Sequence, residues 1–201
     1  MIGSQDVCSG FFVTQRFVTQ ASQSSWDRRA ELDVFLATPS AQSACGMEDF
    51  MKVVDMHCDT IAALYENKEK GWTLQDNKLH IRLDKMKQGD YLLQNFALFV
   101  CTENCEDPYQ QALTLADCFD RQMALFPEQI GQVRCYNDIL ENQKNGRMSA
   151  LLTIEEGAVC QGSLEKLREF YDRGVRMLTL TWNFPNEIGF PNFGISGDGK
   201  P

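Results

Sequence analysis

From Lys52 onward the hydrophobic period of this chain changes repeatedly, and few architectures accept such a pattern. Short apolar, β-rich runs occur at 52–57 (KVVDMH), 92–101 (LLQNFALFVC), 149–155 (SALLTIE) and 175–182 (VRMLTLTW), each the length of a buried strand. Helical patterns separate them. Asp107 and Pro108 make an N-cap and first-turn pair, after which Ala112, Leu115, Ala116, Phe119, Met123 and Phe126 recur at helical spacing and predict a helix covering a sheet. Ser163 is placed to cap a second helix with Leu164, Leu167, Phe170 and Tyr171 in one stripe, and Gly174 to end it in the left-handed conformation. Strands alternating with helices imply a parallel sheet. Four such units are about half of a (β/α)8 barrel, which typically needs about 250 residues, so the 201-residue chain is expected to hold roughly the first half of one.

Composition narrows the partners. With 43% apolar and 23% charged residues the chain falls in the range of a globular domain. Its 19 basic against 28 acidic residues, net −9, argue against nucleic acid, whose affinity rests on Lys and Arg neutralising phosphates. No window approaches the roughly 18 to 20 apolar residues of a membrane span, and none is expected. The eight cysteines are spread over the whole chain, and no basic segment leads into a long apolar one at the start, so the thiols read as reduced and the protein as cytoplasmic. The first fifty residues hold seven Ser, five Gln and no Lys, whereas all nine lysines fall from Lys52 onward. Residues 1–50 therefore read as a leader outside the fold, with Met47 or Met51 as the natural start, and 51–201 as the folded part. The end, GISGDGKP, reads as a loop.

The chemistry concentrates at two strand ends. In Asp55-Met56-His57-Cys58-Asp59, side chains two apart on a strand share a face, so Asp55, His57 and Asp59 point one way and Met56 and Cys58 the other. A His-x-Asp pair at the C-terminal end of a parallel strand offers one nitrogen and one oxygen to a divalent metal, or is an ordinary strand end with a hydrogen-bonded histidine. The third run closes on Glu155, a carboxylate able to complete a three-ligand site or to bridge two metals. Glu156, on the opposite parity, reads as a solvated or helix-capping charge; the bland alternative is that both glutamates cap the strand.

Over about residues 52–201 the chain resembles the membrane dipeptidase family of renal dipeptidase-like zinc peptidases. The resemblance rests on VVDMHCDT, on LHIRLDKMKQGDYLLQNFALFV and above all on LLTIEEGAVCQGSLEKLREFYDRGVRMLTLTWN, which fits without a gap. It implies a (β/α)8 barrel of the metal-dependent hydrolase type and hydrolysis of dipeptides at a dinuclear zinc centre, with a water held between two Zn²⁺ ions attacking the peptide carbonyl. It places metal ligands at His57, Asp59 and Glu155, and puts Glu156 where the family often has glycine. Substrate contacts fall on Trp182, where the family often has histidine, and on the following Asn183. The family draws its second metal's two histidines from later strands, while this chain has only His57 and His80, so the expectation is an incomplete second metal site.

The remaining candidates read as structural. His80, ahead of the second strand, reads as a loop or core histidine, and Cys101 and Cys105 in CTENC, lacking a second pair, as small buried or loop thiols. Cys58 is expected to face the covering helices rather than act as a nucleophile. The segment from Trp182 to Gly199 reads as a rim loop or a plain surface connection. Half of a barrel exposes sheet edges, so the chain is expected to aggregate or form a homodimer. The favoured function is zinc-dependent dipeptide hydrolysis, incomplete in this chain. The rivals are a non-catalytic α/β fragment binding at most one metal and a mononuclear metal-dependent amidohydrolase.

Overall fold

A computed structural model of the chain describes residues 12–14 and 51–191. Apart from 12–14, the leader expected over residues 1–50 lies outside the described residues, as do the end of the rim segment and the terminal loop GISGDGKP. In chain order the elements are β1 (Phe12–Thr14), β2 (Val53–Asp55), α1 (Thr60–Glu66), α2 (Leu83–Gln88), β3 (Tyr91–Phe99), α3 (Pro108–Leu125), β4 (Ile130–Gln132), α4 (Tyr136–Lys144), β5 (Met148–Glu155), α5 (Leu164–Asp172) and β6 (Val175–Thr179).

Every strand pairing is parallel, and the sheet runs β1-β6-β5-β3-β2, with β4 alongside the start of β5. From β2 to β6 the main strands follow chain order, each beside its predecessor. A doubly wound sheet would reverse direction at a switch point; the unreversed order is that of a (β/α)8 barrel wall. The described residues make up part of such a barrel.

The register divides the sheet into two faces. Phe96 stands beside Leu152, and Leu98 beside Ile154; all four are buried in the apolar core with Ile61 and Leu64 of α1, Leu83 and Met86 of α2, and Leu115 and Phe119 of α3. Phe96 and Phe119 meet with ring centroids 5.9 Å apart, a tilted pairing that adds to the area they bury. On the opposite face Asn95 stands beside Leu151, Ala97 beside Thr153 and Phe99 beside Glu155. Glu155 in turn stands beside Thr179 of β6. Alternation along each strand thus sends Phe96, Leu98, Leu152 and Ile154 to the helices and puts Asn95, Thr153 and Glu155 on the site face, together with Ala97, Phe99 and Leu151.

The helices begin and end where their sequence signals lie. Asp107 accepts the Gln110 amide at 3.1 Å and starts α3, and Ala112, Leu115, Ala116 and Phe119 are buried as their spacing predicts. Ser163 accepts the Lys166 amide at 3.3 Å and starts α5, while Gly174 adopts φ +103° just beyond its end. One member of the expected α5 stripe departs: Leu164 is 77% exposed, because it opens the first turn ahead of the buried face that Phe170 anchors.

Candidate metal centre

The ordered part of β2 is shorter than its apolar run suggests. The strand ends at Asp55, yet pairing with β3 persists past it: the Cys58 amide donates to the Asn95 carbonyl at 3.0 Å, and the Ala97 amide to the Cys58 carbonyl at 2.9 Å. The buried Asn95 side chain donates to the Met56 carbonyl at 3.0 Å, fixing the peptide that leads into His57. Asp55 does not join the site. Its carboxylate accepts the His57 backbone amide at 3.1 Å, holding the turn. Asp59 follows as the residue preceding α1.

These constraints bring His57, Asp59 and Glu155 together. His57 Nε2 lies 3.2 Å from Asp59 Oδ1 and 2.9 Å from Glu155 Oε2, and one ligand atom from each residue lies within 4.8 Å of the other two. Glu155 is buried, Asp59 is exposed and His57 lies between these extremes, so the cluster opens to solvent on one side. Two carboxylates around one imidazole demand positive charge. The pKa of His57 is raised from 6.5 to about 10, chiefly by the hydrogen bond with Asp59 and next by that with Glu155. A nitrogen and two carboxylate oxygens are donors that a divalent ion such as zinc accepts. The donor set therefore fits a metal.

Beside Glu155 stands a patch of aromatic rings. Phe99, its register partner on β3, meets Trp182 at a centroid distance of 5.0 Å, and Trp182 meets Phe184 at 5.9 Å. All three rings are half-buried, and Asn183, between the last two, is exposed. Phe99 was not singled out from the sequence, although strand parity from Glu155's neighbour would have found it.

Glu156 departs from half of its sequence reading. It caps the short 3-10 turn Gly157–Cys160, accepting the Ala158 amide at 3.2 Å, but it is not solvated, being 1% exposed. The parity argument assumed that the strand continues. Instead Glu156 adopts φ +88°, a conformation natural to glycine, which turns its side chain inward. The residue type that the resemblance expects at this position answers to that backbone.

The other candidates stay apart from the triad. Cys58 packs against the helix-side core, and burial pushes its thiol up to about 11. His80 is exposed in the loop ahead of α2. Cys101 and Cys105 are free thiols on either side of a 3-10 turn. Among the described residues no helix is long and apolar enough to cross a membrane.

A parallel barrel wall that brings histidine, aspartate and glutamate together at its strand ends puts the chain in the class of (β/α)8-type folds with a candidate metal site there. Within that class the chain belongs to the membrane dipeptidase family, peptidase family M19, whose model matches residues 42–190. Dipeptidase 3 of Rattus norvegicus is 31% identical over 151 residues, a span covering 70% of this chain and 29% of the relative. An uncharacterized dipeptidase of Schizosaccharomyces pombe is 29% identical over 140 residues, 60% of this chain and 34% of the relative. The chain thus spans about a third of the length of these curated relatives. Among solved structures, a metallopeptidase of the same family, dipeptidase AC, superposes with a TM-score of 0.61 at 20% identity, over 75% of this chain and 52% of that one. A metallopeptidase from Rhodobacter sphaeroides, liganded with a phosphinate mimic of the dipeptide L-Ala-D-Ala, gives 0.60 at 20% identity, over 75% and 54%. Both likenesses support the barrel fold.

Proposed function

We propose that this chain carries the first part of a zinc dipeptidase site, in which His57, Asp59 and Glu155 hold metal and Trp182 and Asn183 contact the substrate. The observation that carries the reading is the convergence of the three ligand atoms within 4.8 Å at two strand ends. A divalent metal bound there supplies Lewis acidity, polarising a peptide carbonyl and acidifying the attacking water. The chain's own residues do the rest. Glu155 delivers a buried carboxylate from β5, Asn95 and Asp55 hold the peptides on either side of Met56, and Asp59 keeps an exposed oxygen beside His57. The rings of Phe99, Trp182 and Phe184 form an apolar wall against which a dipeptide side chain packs, and Asn183 offers an amide to its polar ends.

His80 stands apart from the triad. A second reading is a single metal held by His57, Asp59 and Glu155, whose ligand atoms lie within 4.8 Å of one another. Self-association belongs to the same proposal: among the described residues β2 is an end strand of the sheet, on which Val53 and Val54 are 36% and 48% exposed, and sheet edges recruit partners.

The test is hydrolysis of Xaa-Gly and D-residue dipeptides, against cyclic amides, by the zinc-supplemented chain and its His57→Ala variant, with light scattering on the same samples. Dipeptide turnover lost in the variant supports the proposal. Turnover confined to cyclic amides favours the mononuclear amidohydrolase, and turnover unaffected by the variant contradicts both.

A further inference from the structure

Glu156 is a buried carboxylate that the metal site does not use. Three donors converge on it: Oε1 accepts the Ala158 amide at 3.2 Å and Asn186 Nδ2 at 2.6 Å, and Oε2 accepts the Trp182 amide at 3.3 Å. Two of the three come from the loop that follows β6. Asn186 extends the network through that loop, since its Nδ2 also donates to the Leu180 carbonyl at 2.8 Å while its Oδ1 accepts the Ile188 and Gly189 amides at 2.8 and 3.2 Å. The loop then closes on the turn after Glu156. A β-carbon added at Gly157 would lie 2.5 Å from Ile188 Cδ1 and 2.7 Å from the Leu180 carbonyl oxygen.

The geometry points to Glu156 as a positioning residue that ties the loop over residues 180–189 to the strand end bearing Glu155, and so sets the Trp182 ring beside Phe99. Three features combine in this assignment. The carboxylate is 1% exposed, so its hydrogen bonds are not shared with bulk water. A charged acceptor makes stronger bonds to amide donors than a neutral one. Its backbone holds φ +88°, a conformation that persists in a non-glycine residue when surrounding contacts enforce it. The inference deepens the proposed function, because it concerns how substrate-facing rings are held, but the tie itself does not depend on catalysis.

The test is hydrogen exchange of the segment 180–189 in the full chain and in Glu156→Gly, Glu156→Gln and Asn186→Ala, paired with the emission of Trp182, isolated by subtracting a Trp182→Phe background. Glycine suits the positive φ, so Glu156→Gly removes the carboxylate while relieving the backbone; Asn186→Ala cuts the tie from the loop side and leaves β5 untouched. Expected are about tenfold or faster exchange in 180–189 and red-shifted Trp182 emission in both, with β3 and β5 exchanging as in the parent. Glu156→Gln, which keeps one acceptor oxygen, should fall between. Unchanged exchange and emission in Asn186→Ala, or in a folded Glu156→Gly, would overturn the assignment. Neither readout requires turnover, so loss of the dipeptidase reading alone would leave this result standing.

Discussion

His57 Nε2 and Glu155 Oε2 lie 2.9 Å apart across β3, so an imidazole delivered by one strand end meets a carboxylate delivered by another. The strand between them places Ala97 and Phe99 on the same face as Glu155. Ala97 takes little room there, and the aromatic ring above it begins the wall that Trp182 extends. The site is thus a product of sheet register as much as of residue identity.

The face opposite the site depends on the ring pair Phe96 and Phe119, both fully buried. Phe119→Ala removes a large side chain from the contact between α3 and the sheet and is expected to cost about 3–5 kcal/mol. Denaturant unfolding monitored by circular dichroism measures it.

Gly174 ends α5 at φ +103°, and a β-carbon there would lie 2.3 Å from Gln132 Nε2. Gly174→Ala therefore combines backbone strain with a close approach and should destabilise by at least about 1–3 kcal/mol. A shift of the urea midpoint without change of slope is the expected signature.

Asp107 and Ser163 cap α3 and α5 through amides at 3.1 and 3.3 Å. Replacing each by alanine should cost about 1 kcal/mol. The Gln161 side chain donates to Asp107 and accepts from Lys166, whose amide Ser163 caps, so the double variant in the same unfolding assay should depart from the sum of the single losses.

Burial pushes the Cys160 thiol from 9.0 up to about 11. At pH 8 it should resist alkylation while the partly exposed Cys101, Cys105 and Cys135 react, as mass mapping would read. The sign for stability follows from linkage: the folded state holds this proton more tightly than the unfolded state, so its contribution is complete below pH 9.0 and is lost as pH rises through about 11. Cys160→Ala should flatten that part of the alkaline stability profile.

Much of this was legible in the sequence, for reasons that residues make plain. The long strands β3 and β5 are apolar-rich runs of strand length, and α3 and α5 carry side-chain caps that the structure uses. The short β4 and the helix α4 gave no such signal. β4 has three residues, and α4 exposes Tyr136 and Leu140 at 69% and 45% while the residue it buries is Asn142, so no apolar stripe marks it. The convergence of His57, Asp59 and Glu155 was legible from the family pattern, whereas strand parity also pointed to Asp55, where β2 ends and whose carboxylate instead accepts the His57 amide. The inward turn of Glu156 was not, since the conformation that turns it costs an ordinary side chain about 1–3 kcal/mol, and its partner Asn186 is distant in sequence.

Zinc binding to the full chain and to a His57→Ala, Glu155→Ala double variant, measured by calorimetry at one pH, tests the metal centre most directly. The parent should take up at least one zinc ion per chain, and the double variant should lose affinity by on the order of 100-fold or more, beyond what a lost outer partner costs. A double variant that binds zinc as the parent does would contradict the assignment of His57 and Glu155 as ligands.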